Sequence, residues 1–408
     1  MRYRSFAALV FVAGVAVLVA ARPTNHGQEP PVRSGTPDPA ATSPATAGER
    51  PPWHHELLGG NAESCASAAA RTLDLPALAW QLFLIGTPLG VKQPASPAPG
   101  AGGFLLTGRS SAGVDEIARS TAALANGGPA RIRPLVAVDQ EGGAVQALRG
   151  PGFSRIPPAT VQGGWPGDGL RAAAQRWGTE LAQAGVSLDL GPVVDVVPAG
   201  RAKANAPIGA VNRQLGSDVP TIVAAAKSIT SGLRDAGIGV VYKHFPGLGM
   251  VSANTDYRPG VVDSGTGADS PSVDVYRQAL PASGASVMIS TAVYSRLDRQ
   301  QPAAFSTAVV TRLLRSGLAF GGVVISDDLA NADQVRDVPA PDRAMRFLSA
   351  GGDLVIAADP RIGEAMYQQV AATAAKEPRF AGQVRASALR VLALKASLGL
   401  VDCRAWAR

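Results

Sequence analysis

The sequence predicts an α/β fold, a single-domain (β/α)8 barrel of the TIM type. Eight short apolar or β-branched runs follow one another from about residue 56 onward, and they are near-continuously apolar rather than alternating. Between them lie longer stretches, such as 170–184 and 219–236, in which apolar residues recur every three or four positions. Strands buried on both faces and alternating with helices imply a parallel sheet covered on both sides. Eight such units suggest a closed barrel. The rival is an open doubly wound sheet. That fold usually carries a Gly-rich nucleotide turn after its first strand, and residues 82–90 contain none.

Taken in order, the chain opens with Arg2 and Arg4 before a 16-residue apolar run, Phe6 to Ala21, and Val19-Ala20-Ala21 resembles a small-residue cleavage site. Residues 1–21 therefore read as an export signal. A retained N-terminal anchor is the alternative, although the run is short against the ~20 residues of a spanning helix, and a buried core helix is a third reading. No cysteine near the run supports lipid attachment. Residues 22–55 form a Pro/Ala/Thr-rich linker. Eight prolines fall within 22–52, and with no sustained apolar period the segment cannot offset the entropy of ordering.

The third part, 56–408, carries the barrel. Its strands are expected at 82–86, 103–108, 135–139, 186–196, 239–244, 286–294, 321–326 and 353–358. Cys65 precedes the first strand and Cys403 follows the last helix. Chain ends are neighbours in a closed barrel, so an exported, oxidised protein is expected to join them in a disulfide. Two unpaired thiols are the alternative.

Composition removes several classes of function. The 408 residues are 46% hydrophobic and 17% charged, with a formal net charge of +7. Five arginines and three acids lie in residues 1–55, which leaves +5 on the barrel region. That excess forms no basic stripe with interleaved aromatics, so no nucleic-acid partner is expected. A basic surface suits an anionic cell wall or membrane. Three of the four histidines, His26, His54 and His55, fall in the first 55 residues, and His244 stands alone in the barrel. HExxH, Cys/His zinc sites and phosphate loops of the GxxxxGK[ST] type are all missing. No metal and no cofactor are expected, and nothing in the chain calls for more than a monomer.

Barrel chemistry sits at the carboxyl ends of strands. The third run ends in Val138-Asp139-Gln140-Glu141-Gly142-Gly143, an acid and paired glycines where backbone can approach a ligand; a turn or helix cap is the alternative. The fifth ends in Lys243-His244-Phe245-Pro246-Gly247, either a pair that holds hydroxyls or a histidine satisfied at the barrel rim. A loop bounded by Gly and Pro, residues 248–259, follows and is free to move. The seventh ends in Ser326-Asp327-Asp328, and two adjacent acids after an apolar strand are costly unless used. One can face the mouth while the other caps the next helix, or both can cap. Arg213, between the fourth run and its helix, reads by itself as a surface charge.

Together these residues resemble family 3 glycoside hydrolases, specifically the single-barrel β-N-acetylglucosaminidase branch, over roughly residues 74–400. VDQEGG at 138–143, KHFPG at 243–247, PAAFS at 302–306 and ISDDL at 325–329 match in order and spacing. The resemblance implies a retaining mechanism in which Asp327 is the nucleophile, while Asp139, Arg213, Lys243 and His244 hold the terminal sugar. It also implies hydrolysis of terminal β-N-acetylglucosamine from cell-wall glycans outside the cytoplasm, with any membrane contact only through the N-terminal anchor.

The chain departs from the pattern where this branch reads KHFPGHG followed by Asp-Ser-His. The first of those histidines is Leu248 here, and Asp-Ser-His is Asn254-Thr255-Asp256. Asp256 therefore stands at the acid/base position. Arginines common after DQEGG are Ala144 and Ala147, with Arg149 nearby as a substitute. Asp328 and Glu141 are expected to cap helices. Two other functions follow from the same residues: a sugar-binding barrel that has lost its acid/base, and a family 3 β-glucosidase, which usually carries a second α/β domain.

Overall fold

The computed structural model describes residues 62–90, 98–126 and 128–406. The expected export signal at 1–21, the linker at 22–55 and the first residues of the expected barrel region lie outside them. Eight strands form the barrel: β1 (Phe83–Pro88), β2 (Gly103–Thr107), β3 (Leu135–Val138), β4 (Leu188–Asp189), β5 (Gly239–Phe245), β6 (Ser286–Ile289), β7 (Val324–Asp328) and β8 (Leu354–Ala357). Each pairs in parallel with the next, and β8 closes on β1 with Phe83 opposite Val355. The predicted barrel is therefore the observed one.

Hydrophobic continuity explains the strands. Every residue of β3, β5, β6 and β8 is buried, as strands covered on both faces require. Two expected strands are shorter than their apolar runs by five residues or more. In the fourth run only Leu188–Asp189 forms β4, with one isolated bridge beyond it between Val193 and Lys243. In the sixth run β6 stops at Ile289, and Val293–Tyr294 joins a separate three-stranded sheet with Val262–Asp263 and Asp298–Pro302. A buried apolar run marks where the chain is covered, not which part finds a ladder partner.

The outer layer includes α1 (Ala62–Ala70), α2 (Leu75–Trp80), α3 (Val114–Leu124), α4 (Ala159–Gln162), α5 (Gly167–Gln183), α6 (Val219–Asp235), α7 (Pro271–Ala279), α8 (Ala340–Ala350), α9 (Pro360–Lys376) and α10 (Pro378–Ser397). A π-helical segment, Ala308–Gly317, fills the helix position after β6, and among the described residues no helix lies between β1 and β2. Asp218 and Asp359 start α6 and α9 by accepting backbone N–H groups of the first turn, with proline at the first positions. The α5–α6 contact is close because residue 232 is glycine: a Cβ there would lie 2.2 Å from the Arg171 carbonyl oxygen. No helix among the described residues is long and apolar enough to cross a membrane.

The amino-terminal end of the barrel is held by buried charge. Asp353, ahead of β8, accepts from the Arg315 guanidinium, from Arg390 at 3.0 Å and from the Val324 N–H at 2.9 Å. Lys395 on α10 donates to Gln81 Oε1 at 2.6 Å, and its burial pulls the ammonium pKa down to about 7. Near this end Cys65 and Cys403 are bonded, joining α1 to the segment after α10 across 338 residues of sequence.

So long a closed loop, 338 residues, restricts the unfolded chain strongly, with a chain-entropy ceiling of roughly 6 kcal/mol. Cys65→Ser with Cys403→Ser is expected to lower unfolding free energy by about 2–5 kcal/mol in denaturant titrations, leaving catalysis at 25 °C unchanged. Equal midpoints for wild type and double variant would show that the bridge restricts little.

Candidate active site

At the carboxyl face the ends of β3 and β5 meet through charge. The ammonium of Lys243, 2% exposed, lies 2.6 Å from Asp139 Oδ1 and 2.6 Å from Glu141 Oε1. Arg213 reaches in from the β4 loop and grips Glu141 with two bonds, Nε to Oε2 at 2.8 Å and Nη2 to Oε1 at 2.7 Å; its Nη1 donates to the Pro207 carbonyl. Such a bidentate pair fixes the plane of both groups. Burial alone would raise the Glu141 pKa, but the adjacent Arg213 and Lys243 charges overcome it and hold the carboxyl at about 2. Burial would likewise discharge Lys243 and Arg213. Asp139 and Glu141 at Lys243, and Glu141 first at Arg213, hold both above their ordinary values. Asp189, at the end of β4, accepts the Gln140 N–H at 3.1 Å, and desolvation lifts its carboxyl to about 7.

His244 is fixed from behind. Asp195, fully buried in the segment after β4, contacts His244 Nδ1 at 2.7 Å and accepts the backbone N–H of His244 at 3.2 Å and of Leu248 at 2.7 Å. A carboxylate on Nδ1 orients the ring, and among the described residues Nε2 has no hydrogen-bond partner.

Asp327 and Asp328 divide their work. Asp328 accepts the N–H groups of Ala330, Asn331 and Ala358. It thus closes the turn after β7 and ties it to β8, rather than capping a helix as expected. Among the described residues the Asp327 carboxylate accepts only the N–H of Asp328, at 2.9 Å, and it is half-buried at the mouth.

The 248–259 loop brings Asp256 to the same mouth. Asp256 is exposed to water at the mouth. Crowding by the surrounding protein, and then the Asp327 carboxylate, raise the Asp256 pKa to about 6, while His244, Arg213 and a bond from Asn254 oppose the shift. The loop is anchored along its length, contrary to its expected freedom. Asn205 Nδ2 donates to the carbonyls of Leu248 and Val251, the N–H groups of Gln334 and Asp333 donate to Thr255 and Asp256, and Gln334 clasps Val261. Side chains from the β4 and β7 loops thus replace the regular structure that the Gly and Pro residues prevent.

The predicted residues Asp139, Arg213, Lys243, His244, Asp256 and Asp327 converge on one mouth. Glu141, expected as a helix cap, is instead the centre of the ion-pair network, and Asp189 and Asp195 were not singled out by sequence. An acid inside a buried apolar run was the available signal, and 186–196 holds both. Two further expectations change. Gly142 and Gly143, at φ +101° and +54°, fold tightly against Ile156–Pro158 of their own loop, so their lack of side chains serves that packing. Arg149 donates to the Gln146 and Gly143 carbonyls and braces the short antiparallel hairpin of Gln140–Gly142 with Val145–Gln146. Among the described residues no group of three His, Cys, Asp or Glu is arranged to hold a metal.

Residues 98–394 match the family described as the glycosyl hydrolase family 3 N terminal domain. The beta-hexosaminidase of Aromatoleum aromaticum is 35% identical over 269 residues, covering 63% of this chain and 72% of that protein. The beta-hexosaminidase of Xanthomonas campestris pv. campestris is 30% identical over 303 residues, covering 70% and 86%. The crystal structure of a beta-N-acetylhexosaminidase from Beutenbergia cavernae superposes with a TM-score of 0.75 at 44% identity, covering 79% of this chain and 98% of that one.

Glu141 balances two buried cations, so Glu141→Gln is expected to destabilise the fold by about 3–5 kcal/mol in denaturant titrations at pH 7. The pH dependence has a definite sign. A folded pKa of about 2, below the ordinary glutamate value of 4.5, stabilises fully above 4.5, and the contribution is lost as pH falls toward 2. The gap between wild type and E141Q should therefore narrow on acidification; a gap independent of pH would contradict the pairing.

Proposed function

The chain belongs to glycosyl hydrolase family 3 and is a glycoside hydrolase, and from that premise we propose that it is an exported, retaining exo-β-N-acetylglucosaminidase that trims terminal β-N-acetylglucosamine from cell-wall, peptidoglycan-type glycans. The β-hexosaminidases it resembles support the sugar, and the apolar run after Arg2 and Arg4 supports export. The observation that carries the mechanism is the pairing of Asp327 and Asp256 across one mouth: two carboxyls whose environments separate their roles.

The Asp327 carboxylate attacks the anomeric carbon. The glycosidic C–O bond breaks as Asp256 gives its proton to the leaving oxygen, leaving a glycosyl ester on Asp327. Water then attacks the same carbon, Asp256 takes its proton, and the ester bond breaks to free the sugar and Asp327. Asp256 suits both steps because a pKa of about 6 lets it hold and release a proton near neutrality. Asp139, Lys243, Arg213 and His244 orient the sugar. Lys243 and His244 are adjacent on β5, so the strand sets their spacing, while Glu141 and Asp195 hold them from behind.

One observation favours a second reading, a barrel that binds sugar without cleaving it: Leu248 and Asp256 stand where this branch has histidines.

Asp327→Asn decides between these readings. It is expected to lower kcat on an aryl β-N-acetylglucosaminide at least 10³-fold, about 4 kcal/mol of barrier, with sugar binding retained. Wild-type protein that binds the sugar but releases no nitrophenol would establish the binding role instead.

Asp256→Ala is expected to slow substrates with poor leaving groups most, and azide should restore the deglycosylation step. The wild-type kcat/KM should fall as pH rises through about 6, where the donor loses its proton, and this limb should vanish in the variant. A uniform loss across leaving groups without azide rescue would assign the proton transfer elsewhere.

A further inference from the structure

Asp189 is a buried acid that takes no part in the proton transfers above, and its surroundings set it apart. The carboxyls of Glu141, Asp195, Asp263 and Asp353, all buried, make three polar contacts each. Asp189 is 5% exposed and, among the described residues, accepts one bond, the Gln140 N–H at 3.1 Å. It lines an enclosed cavity of about 20 Å³, closed on the helix side by Trp177 and Leu181 of α5 and Ile229 and Leu233 of α6. That is room for about one water, so bulk solvent does not hydrate the carboxyl.

The charges around it are already balanced. Lys243 on β5 and Asp139 and Glu141 after β3 act on it directly, and Arg213 of the β4 loop lines the same cavity. Two cations there face two carboxylates, and Asp195 is turned to His244. An ionised Asp189 would be a third anion with no cation of its own, which is costly away from water. A neutral carboxyl closes the balance. The bond to Gln140 gives that neutral acid a task, because Gln140 lies between Asp139 and Glu141, the two acids on the Lys243 ammonium. Asp189 also pairs with Val138 of β3 and Val240 of β5, so it sits between the two strands whose ends the ion pairs join.

We propose that Asp189 is a positioning residue of the sugar site that works with its proton on: the neutral carboxyl accepts the Gln140 N–H and keeps Asp139 and Glu141 closed on Lys243, and loss of the proton draws Lys243 away from them. This rests on the reading of Asp139 and Lys243 as groups that hold the sugar. Desolvation, opposed by the Gln140 bond and then by Lys243, puts loss of this proton at about 7. Rising pH therefore weakens binding through Asp189, whereas the donor Asp256 acts through turnover.

The test is calorimetric binding of N-acetylglucosamine to protein carrying Asp256→Ala, which removes the donor's own titration. Between pH 6 and pH 8.5 the affinity should fall at least about tenfold, and binding at pH 8 should take up close to one proton, read by comparing buffers of different ionisation enthalpy. Adding Asp189→Asn, which keeps the acceptor and puts an N–H where the acid has its O–H, should hold the pH 6 affinity within about threefold and keep it level to pH 8.5. An alkaline loss that persists with asparagine, no such loss in the parent, or binding without proton uptake would each overturn the assignment. If D189N does not fold, the parent's proton uptake decides. If the sugar binds at no pH, the sugar-site reading fails by itself, and denaturant titrations of wild type and D189N decide whether Asp189 holds the proton. A carboxyl raised from 3.8 to about 7 costs stability as pH climbs between those values and no more above them. D189N should therefore gain on wild type over that range, and a gap independent of pH would overturn the assignment.

Discussion

Lys243 carries a full charge into a place with almost no water, and much of the mouth is arranged around meeting that cost. An isolated buried ammonium would lose its proton. Here it touches Asp139 and Glu141 at hydrogen-bond distance, and Glu141 is held in turn by the fork of Arg213. The cluster joins the ends of β3 and β5 to the long loop after β4. Removing one member leaves an uncompensated charge, which is far costlier than the net worth of the pair. The same pairing leaves Asp139 partly exposed beside a cation, a polar edge ready for hydroxyl groups.

A second constraint governs the histidine. Asp195 gathers one ring nitrogen and two backbone N–H groups from β5 and its following turn, so ring and turn are set together. Asn205 and Gln334 then extend the hold to the tip that carries Asp256. The loop is therefore held by bonds from two neighbouring loops where the sequence alone suggests a free one, and these bonds set where Asp256 stands beside Asp327.

The two ends of the barrel use charge differently. At the amino-terminal end Asp353 is surrounded by two arginines and a backbone N–H, a closed set that serves packing, and the Cys65–Cys403 bond adds a covalent tie. At the carboxyl end the paired charges of Glu141, Arg213 and Lys243 lie beneath the mouth and set the residues that face it.

The sequence by itself determined the barrel, because eight buried runs alternating with amphipathic stretches have few other ways to cover their apolar faces. It also determined the residues with chemistry at strand ends, since an acid or a Lys-His pair directly after an apolar strand must come out at the carboxyl face. It did not reveal Glu141 as the ion-pair centre, nor Asp195 and Asp189, because their roles depend on partners distant in sequence: 49 residues away for Asp189 and Asp195, and 72 (Arg213) and 102 (Lys243, 243 − 141) for Glu141. The helix cap expected of Glu141 is a local use of an acid, whereas Lys243 and Arg213 reach it only once the barrel closes. Nor could Gly and Pro in the 248–259 loop disclose the side chains that pin it. Local propensity reports what a segment does alone; which charges share one buried space, and which remain unpaired in water, is decided only when the strands bring distant segments together.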